Sequence, residues 1–169
     1  MDAISFLSKF DDKSVDLVLV DPPYDFPKSL QEQIQFEFYR VCRGAIIVFC
    51  PPENQWHYNP DQYLFWFKPI STKNTSKSYS RFVEMILVWG RSEWITGRHW
   101  SQYTNVFQDL VDDSKLHKYR KPPSLIERLI LNHTKEEDIV LDTFMGSGVV
   151  KDVCKRNNRN FVGTDIAHE

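Results

Sequence analysis

Asp21-Pro22-Pro23-Tyr24 sets an acid and an aromatic ring side by side, directly after the apolar run Val15 to Val20. The acid accepts hydrogen bonds from an amino group, and the ring stacks on a flat heterocycle. The two prolines end the run and hold the next stretch of backbone extended. Together these residues suit a planar substrate with an exocyclic amine, such as adenine or cytosine. The tetrapeptide alone equally fits a stiff turn in which Asp21 caps and Tyr24 packs. A second cluster, Val140 to Gly148, runs an apolar segment into Phe144-Met145-Gly146-Ser147-Gly148. Glycine lets backbone approach a ligand closely and permits positive φ. Asp165 follows about twenty residues on, where a carboxylate can grip ribose hydroxyls. That spacing suits an adenosine-type cofactor.

Both clusters need strands that end beside each other. Val15–Val20 and Asp138–Asp142 read as buried parallel strands, whose carboxyl ends are where open α/β sheets bind ligands. Ala45–Cys50, Tyr63–Phe67, Phe82–Trp89 and Asn160–Asp165 read as further strands. Residues 1–10 suit a short amphipathic helix, and Leu30–Cys42, Pro123–His133 and Val149–Lys155 suit longer ones. Gly44 is expected to stop the first of these. Ser71–Ser80 reads as a polar loop, and residues 92–115 show no clean period. Alternating strands and helices predict a mostly parallel, three-layer α/β domain spanning 1–169.

Composition narrows the class. The chain has 169 residues, 41% hydrophobic and 26% charged, ordinary for one globular domain. No apolar run approaches the ~18 residues that cross a bilayer, and Met1-Asp2-Ala3-Ile4 has no basic leader. Cys42, Cys50 and Cys154 lack zinc or disulfide spacing. They read as buried thiols of a cytoplasmic protein without metal. Net charge is −2, yet residues 68–121 hold ten Lys and Arg against five Asp and Glu. That basic stretch inside an acidic chain suits a phosphate-facing surface or, equally, scattered solvated charge.

The motifs, in their order, resemble the beta-arranged amino methyltransferases, which methylate adenine N6 or cytosine N4 in DNA. Asp21-Pro22-Pro23-Tyr24 resembles their catalytic motif. Asp142, Phe144, Gly146, Ser147 and Gly148 resemble their S-adenosylmethionine site, with Thr143 and Val149 replacing the usual proline and threonine. Asp165 stands where the family has Glu or Asp. His117 to Leu125, with Lys121 and Pro122, resembles a His-x-x-x-Lys-Pro-x-x-Leu segment that lies beside the methionine end of the cofactor. Tyr119 and Arg120 depart from it. Asp2 resembles the leader aspartate that helps hold the cofactor's adenine, and Arg81 to Ile86 resembles a late strand of the catalytic half.

The resemblance implies a Rossmann-like S-adenosylmethionine-dependent methyltransferase fold that lacks part of one sheet edge. It implies a site-specific DNA methyltransferase of the restriction-modification kind, with S-adenosylmethionine as cofactor. Adenine N6 is the expected target, because Asp at the first motif position is the common adenine form. Cytosine-N4 methylation and a catalytically silent DNA- or partner-binding relative are the alternatives. Asp21 and the Pro22 carbonyl would accept the amine's N–H groups, and Tyr24 would stack on a flipped base. Phe26, Trp56 and Tyr58 are candidates for the pocket wall and, more often, for core. Lys73, Lys77, Arg81, Arg98 and Trp100 are candidates for DNA contact. Residues 92–116 would be a reduced target-recognition segment or a flap. Specificity is then expected to be short, relaxed or supplied by a second subunit, and a homodimer is expected from the open edge.

Overall fold

The structure is a computed structural model that describes residues 2–54, 56, 59–68, 82–90, 98–109 and 120–165. Helices and strands run in the order α1 (Ala3–Leu7), β1 (Val15–Val20), α2 (Lys28–Val41), β2 (Cys42–Cys50), β3 (Gln62–Phe67) and β4 (Val83–Trp89). A short 3-10 turn, Trp100–Tyr103, leads to β5 (Val106–Phe107), α3 (Pro123–His133), β6 (Ile139–Asp142), α4 (Val149–Arg156) and β7 (Asn160–Gly163). These strands form one sheet in the order β5-β3-β4-β2-β1-β6-β7. The pairs β1–β2, β1–β6, β6–β7 and β3–β5 are parallel. β4 runs antiparallel to both β2 and β3.

The chain leaves β1 in one direction, toward β2, and later returns to β1's other side with β6 and β7. The strand order thus reverses at β1. In open α/β sheets such a reversal opens a crevice at the carboxyl ends of the strands. Asp21 follows β1 and Asp142 ends β6, so the two predicted motif strands are neighbours.

Alternation along the strands builds two cores. Leu17 and Leu19 of β1, with Ala45, Ile47 and Phe49 of β2 and Ile86 and Val88 of β4, face α3 and α4. Val18, Val20, Ile46, Val48, Met85 and Leu87 face α1 and α2. A strand apolar on both sides is buried between two helical layers. α3 presents Leu125, Ile126, Leu129 and Ile130 to the first core, the i, i+1, i+4, i+5 stripe of an amphipathic helix.

Three departures from the sequence reading have physical causes. α2 stops at Val41 and β2 begins at Cys42, so Gly44 lies inside the strand. A Cβ on Gly44 would collide with the Asp16 carbonyl, so Gly44 serves close strand packing. β5, which shows no period in two residues, adds an edge beside β3. Over residues 98–109, the segment read as a flap is therefore part of the sheet edge and the turn leading to it. The polar loop 71–80 lies outside the described residues. Among the described residues, no helix is long and apolar enough to cross a membrane.

Candidate active site

The Asp21–Tyr24 turn is pinned from two sides. The Asn54 side chain donates to the Tyr24 carbonyl at 2.7 Å, and Gln31 of α2 donates to the Phe26 carbonyl at 3.0 Å. Pro22 is buried while the Tyr24 ring is 46% exposed. Burial holds the Tyr24 phenol well above its usual range, opposed by Lys121 and reinforced by Glu84 and Asp21. An exposed ring with an anchored hydroxyl offers a face for stacking.

Asp21 uses its two oxygens differently. Oδ2 accepts from Lys121 Nζ at 2.6 Å. Oδ1 is sealed from solvent and accepts no hydrogen bond among the described residues. Lys121 also lies 2.8 Å from a Glu84 oxygen, and Lys68 binds the other Glu84 oxygen at 2.8 Å. Four charges thus alternate in a row, Asp21, Lys121, Glu84 and Lys68, of which Lys121 and Glu84 are buried and Asp21 and Lys68 partly exposed. Burial works against every ionised form, but the pairs redistribute its effect. Glu84 has two cations and is held below the usual carboxylate range. Asp21 shares a single cation with Glu84, so burial pushes it above that range. Lys121, between two carboxylates, stays charged despite burial.

The strand pattern explains this row. Glu84 continues the Ile86–Val88 side of β4, and Lys68 the Leu64–Trp66 side of β3. Asp21 continues the Leu17–Leu19 side of β1, and Lys121 precedes α3, which covers that face. The resemblance had assigned Lys121 to the methionine end of the cofactor, and Glu84 and Lys68 to nothing. A lone acid in Val83-Glu84-Met85-Ile86-Leu87-Val88-Trp89 was the signal available, since a fully buried strand seldom carries an unpaired charge.

The second turn is built for ligand approach. Gly146 and Gly148 both adopt positive φ, 43° and 72°. A Cβ on Gly148 would meet nothing within 4 Å, so the requirement there is conformational. The Gly146 amide donates to Asp165 Oδ2 at 2.6 Å, fixing that carboxylate beside the turn. Asp142 Oδ1 accepts from the Phe144 amide at 2.9 Å. Burial nevertheless pushes Asp142 up to about 7. Phe144 packs edge-on to Phe26 at 5.3 Å, which joins the two turns.

One cleft of about 240 Å³ is lined by Asp21, Lys121, Asp142, Phe144, Gly146 and Ser147, among others. That is just below the roughly 300–1,000 Å³ of typical ligand sites. A nucleoside-sized ligand would extend past it, with Asp165 next along the rim. Acidic groups, a glycine turn and an aromatic edge fit an adenosine-type cofactor. Among the described residues, no group of His, Cys, Asp and Glu is arranged to hold a metal.

Other sequence-predicted residues lie elsewhere. Asp2 is exposed and caps α1, accepting from the Ser5 amide at 2.9 Å. Pro122 leads into α3 beside Lys121. Trp56 is buried between Phe26 and Phe38, a scaffold for the Asp21–Tyr24 turn. Arg98 donates to Asn132, in the last turn of α3. α3 starts at Pro123, just after Lys121, and runs away from the cleft, so Arg98 and the exposed Trp100 sit at the opposite end of the sheet. The structure does not bring these two into the site. Lys73, Lys77, Arg81, His117 and Tyr58 lie outside the described residues.

An acid-bearing turn and a glycine turn at adjacent strand ends of a reversing α/β sheet define a ligand-binding α/β domain. Residues 46–169 match the N6/N4 methylase model, described as DNA methylase, and the chain belongs to that family. The type II methyltransferase M2.DpnII of Streptococcus pneumoniae is 26% identical, covering 99% of this chain and 84% of its own length. The DNA adenine methyltransferase YhdJ of Escherichia coli is 24% identical, covering 99% and 77%. The M1.HpyAVI–SAM complex superposes with a TM-score of 0.75 at 25% identity, covering 98% of this chain and 90% of that one. The cytosine-N4-specific PvuII methyltransferase superposes with a TM-score of 0.74 at 17% identity.

Proposed function

We propose that this chain transfers a methyl group from S-adenosylmethionine to the N6 amine of adenine in DNA. The observation that carries this reading is the shared cleft, in which the Asp21 turn and the Gly146 turn meet. S-adenosylmethionine supplies the electrophilic methyl. Asp142, Phe144, Gly146, Ser147, Gly148 and Asp165 would hold it.

The chain's own residues do the rest. An amine conjugated to a heterocycle is a poor nucleophile. The Asp21 carboxylate and the Pro22 carbonyl would accept its two N–H bonds and favour a pyramidal nitrogen. Preorganised acceptors also stabilise positive charge as it develops. The upward push on Asp21 suits it to hold the released proton afterwards. The Tyr24 face would stack on a base flipped from the duplex, offsetting part of an unstacking cost of a few kcal/mol.

Adenine is favoured over cytosine by Asp at the first position of the turn. Fold likeness does not separate the two bases, since a cytosine-N4 enzyme superposes nearly as well as M1.HpyAVI. Digestion of DNA methylated by the protein, followed by identification of the modified nucleoside, tests the choice. N6-methyladenine is expected, and N4-methylcytosine alone would overturn it.

Target recognition in this chain is small. Six alignments with curated relatives that cover nearly all of this chain span 217 to 236 positions, against 169 residues here. At least 48 aligned positions therefore have no counterpart in this chain. This supports a short or relaxed target site, or specificity contributed by a second subunit or second copy.

A further inference from the structure

We propose that Glu84 and Lys68 are positioning residues for methyl transfer. They fix Lys121, and through it the Asp21 carboxylate, in the orientation that meets the substrate amine. The inference rests on the reading of Asp21 as the amine acceptor.

The geometry gives each member one task. Lys121 binds Asp21 Oδ2 at 2.6 Å and Glu84 at 2.8 Å, and packs over the Phe49 and Trp66 rings at 5.0 and 5.8 Å. A lysine has four rotatable bonds and three donors. With Asp21 as its sole carboxylate partner, its ammonium could serve either oxygen. The second tether removes that freedom. Glu84, 2% exposed, needs compensation of its own, and Lys68 supplies it at 2.8 Å from β3. Two carboxylates and two ammoniums alternate, so the row is neutral.

Stability alone does not explain such a row. Buried ion pairs are often no better than apolar replacements of equal volume, because desolvation offsets their attraction. This one is spent on fixing a single oxygen at the floor of a cleft. The Asp21 side chain is 34% exposed and lines the cleft, so the carboxylate that Lys121 holds still faces the ligand space.

The test compares wild type, Asp21→Ala and the charge-balanced pair Glu84→Gln with Lys68→Met. Methyl transfer is measured across pH, and S-adenosylmethionine binding by calorimetry. In the paired variant kcat should fall about tenfold to 100-fold, the range of a small misplacement in an active site. Cofactor affinity and KM should stay near wild type. The acidic limb of the kcat profile should move to lower pH, because Glu84 no longer opposes ionisation of Asp21. An inactive Asp21→Ala beside a paired variant with wild-type kcat and pH profile would overturn this inference alone. An Asp21→Ala variant as active as wild type would overturn both the inference and the reading beneath it. Should the paired variant not fold, Glu84→Asp keeps the charge and shortens the tether. A reduced kcat there supports the inference, and a wild-type kcat overturns it.

Discussion

Three acids near the cleft do different work because their surroundings differ. Asp165 is fixed by a backbone amide, Asp21 by an ammonium, and Asp142 by one amide in a dry setting. Burial pushes Asp142 up to about 7 from the ordinary carboxylate value of 3.8. Between those values the native state binds more protons than the unfolded chain, so this contribution to stability is full at low pH and lost as pH rises through about 7. Asp142→Asn keeps an acceptor for the Phe144 amide without the charge. In the ligand-free protein at pH 8 it should be more stable than wild type by up to about 4 kcal/mol, with a flatter slope between pH 4 and 7. Thermal unfolding across pH reads this, and a wild-type slope would contradict the assignment. Tyr24 carries the stacking prediction. Tyr24→Ala should raise KM for DNA by about tenfold to 100-fold, since base–aromatic stacking contributes roughly 1–3 kcal/mol. Tyr24→Phe should keep most of the binding. Equal KM values for both variants and wild type would remove the ring from recognition.

Elements place these residues by simple alternation. Phe49 of β2 is fully buried and carries Lys121 over its ring. Phe49→Ala should cost about 3–5 kcal/mol of stability, as large-to-small changes in a packed core do. It should also loosen the Lys121 contact, so denaturant unfolding and kcat should fall together. The glycine turn makes a contrasting case. Gly146→Ala meets only the Phe144 carbonyl, at 3.8 Å, so its cost is the positive φ, about 1–2 kcal/mol. Cofactor affinity should drop more than stability does, because the added methyl stands in the cleft wall. A variant with lowered melting temperature and wild-type affinity would put the ligand elsewhere. Much at this scale was legible beforehand: α3 begins and ends where its apolar spacing and Pro123 put it. β5 was not, because two residues have no period. The antiparallel course of β4 was not either, since strand direction is set by the fold and not by local preference. Glu84 and Lys68 stayed hidden for the same reason. Each is one polar residue in or after an apolar strand, and only the pairing of β3 with β4 brings them together.

At the scale of the molecule, two turns over a hundred residues apart in sequence meet because β1 and β6 are neighbours. Their residues were legible through family motifs. Their meeting follows from the reversal of strand order at β1. A phosphate-facing role for the basic stretch 68–121 predicts that KM for DNA rises steeply with salt, as counterion release requires. A salt-independent KM would contradict a phosphate-bound substrate. The most direct test of the central claim is radiolabelled methyl transfer from S-adenosylmethionine to unmethylated DNA by wild type and Asp21→Ala. Wild type should label adenine, and the variant, folded and still binding the cofactor, should retain almost none of that activity. Equal labelling by the two proteins would contradict the assignment of Asp21 to the reacting amine.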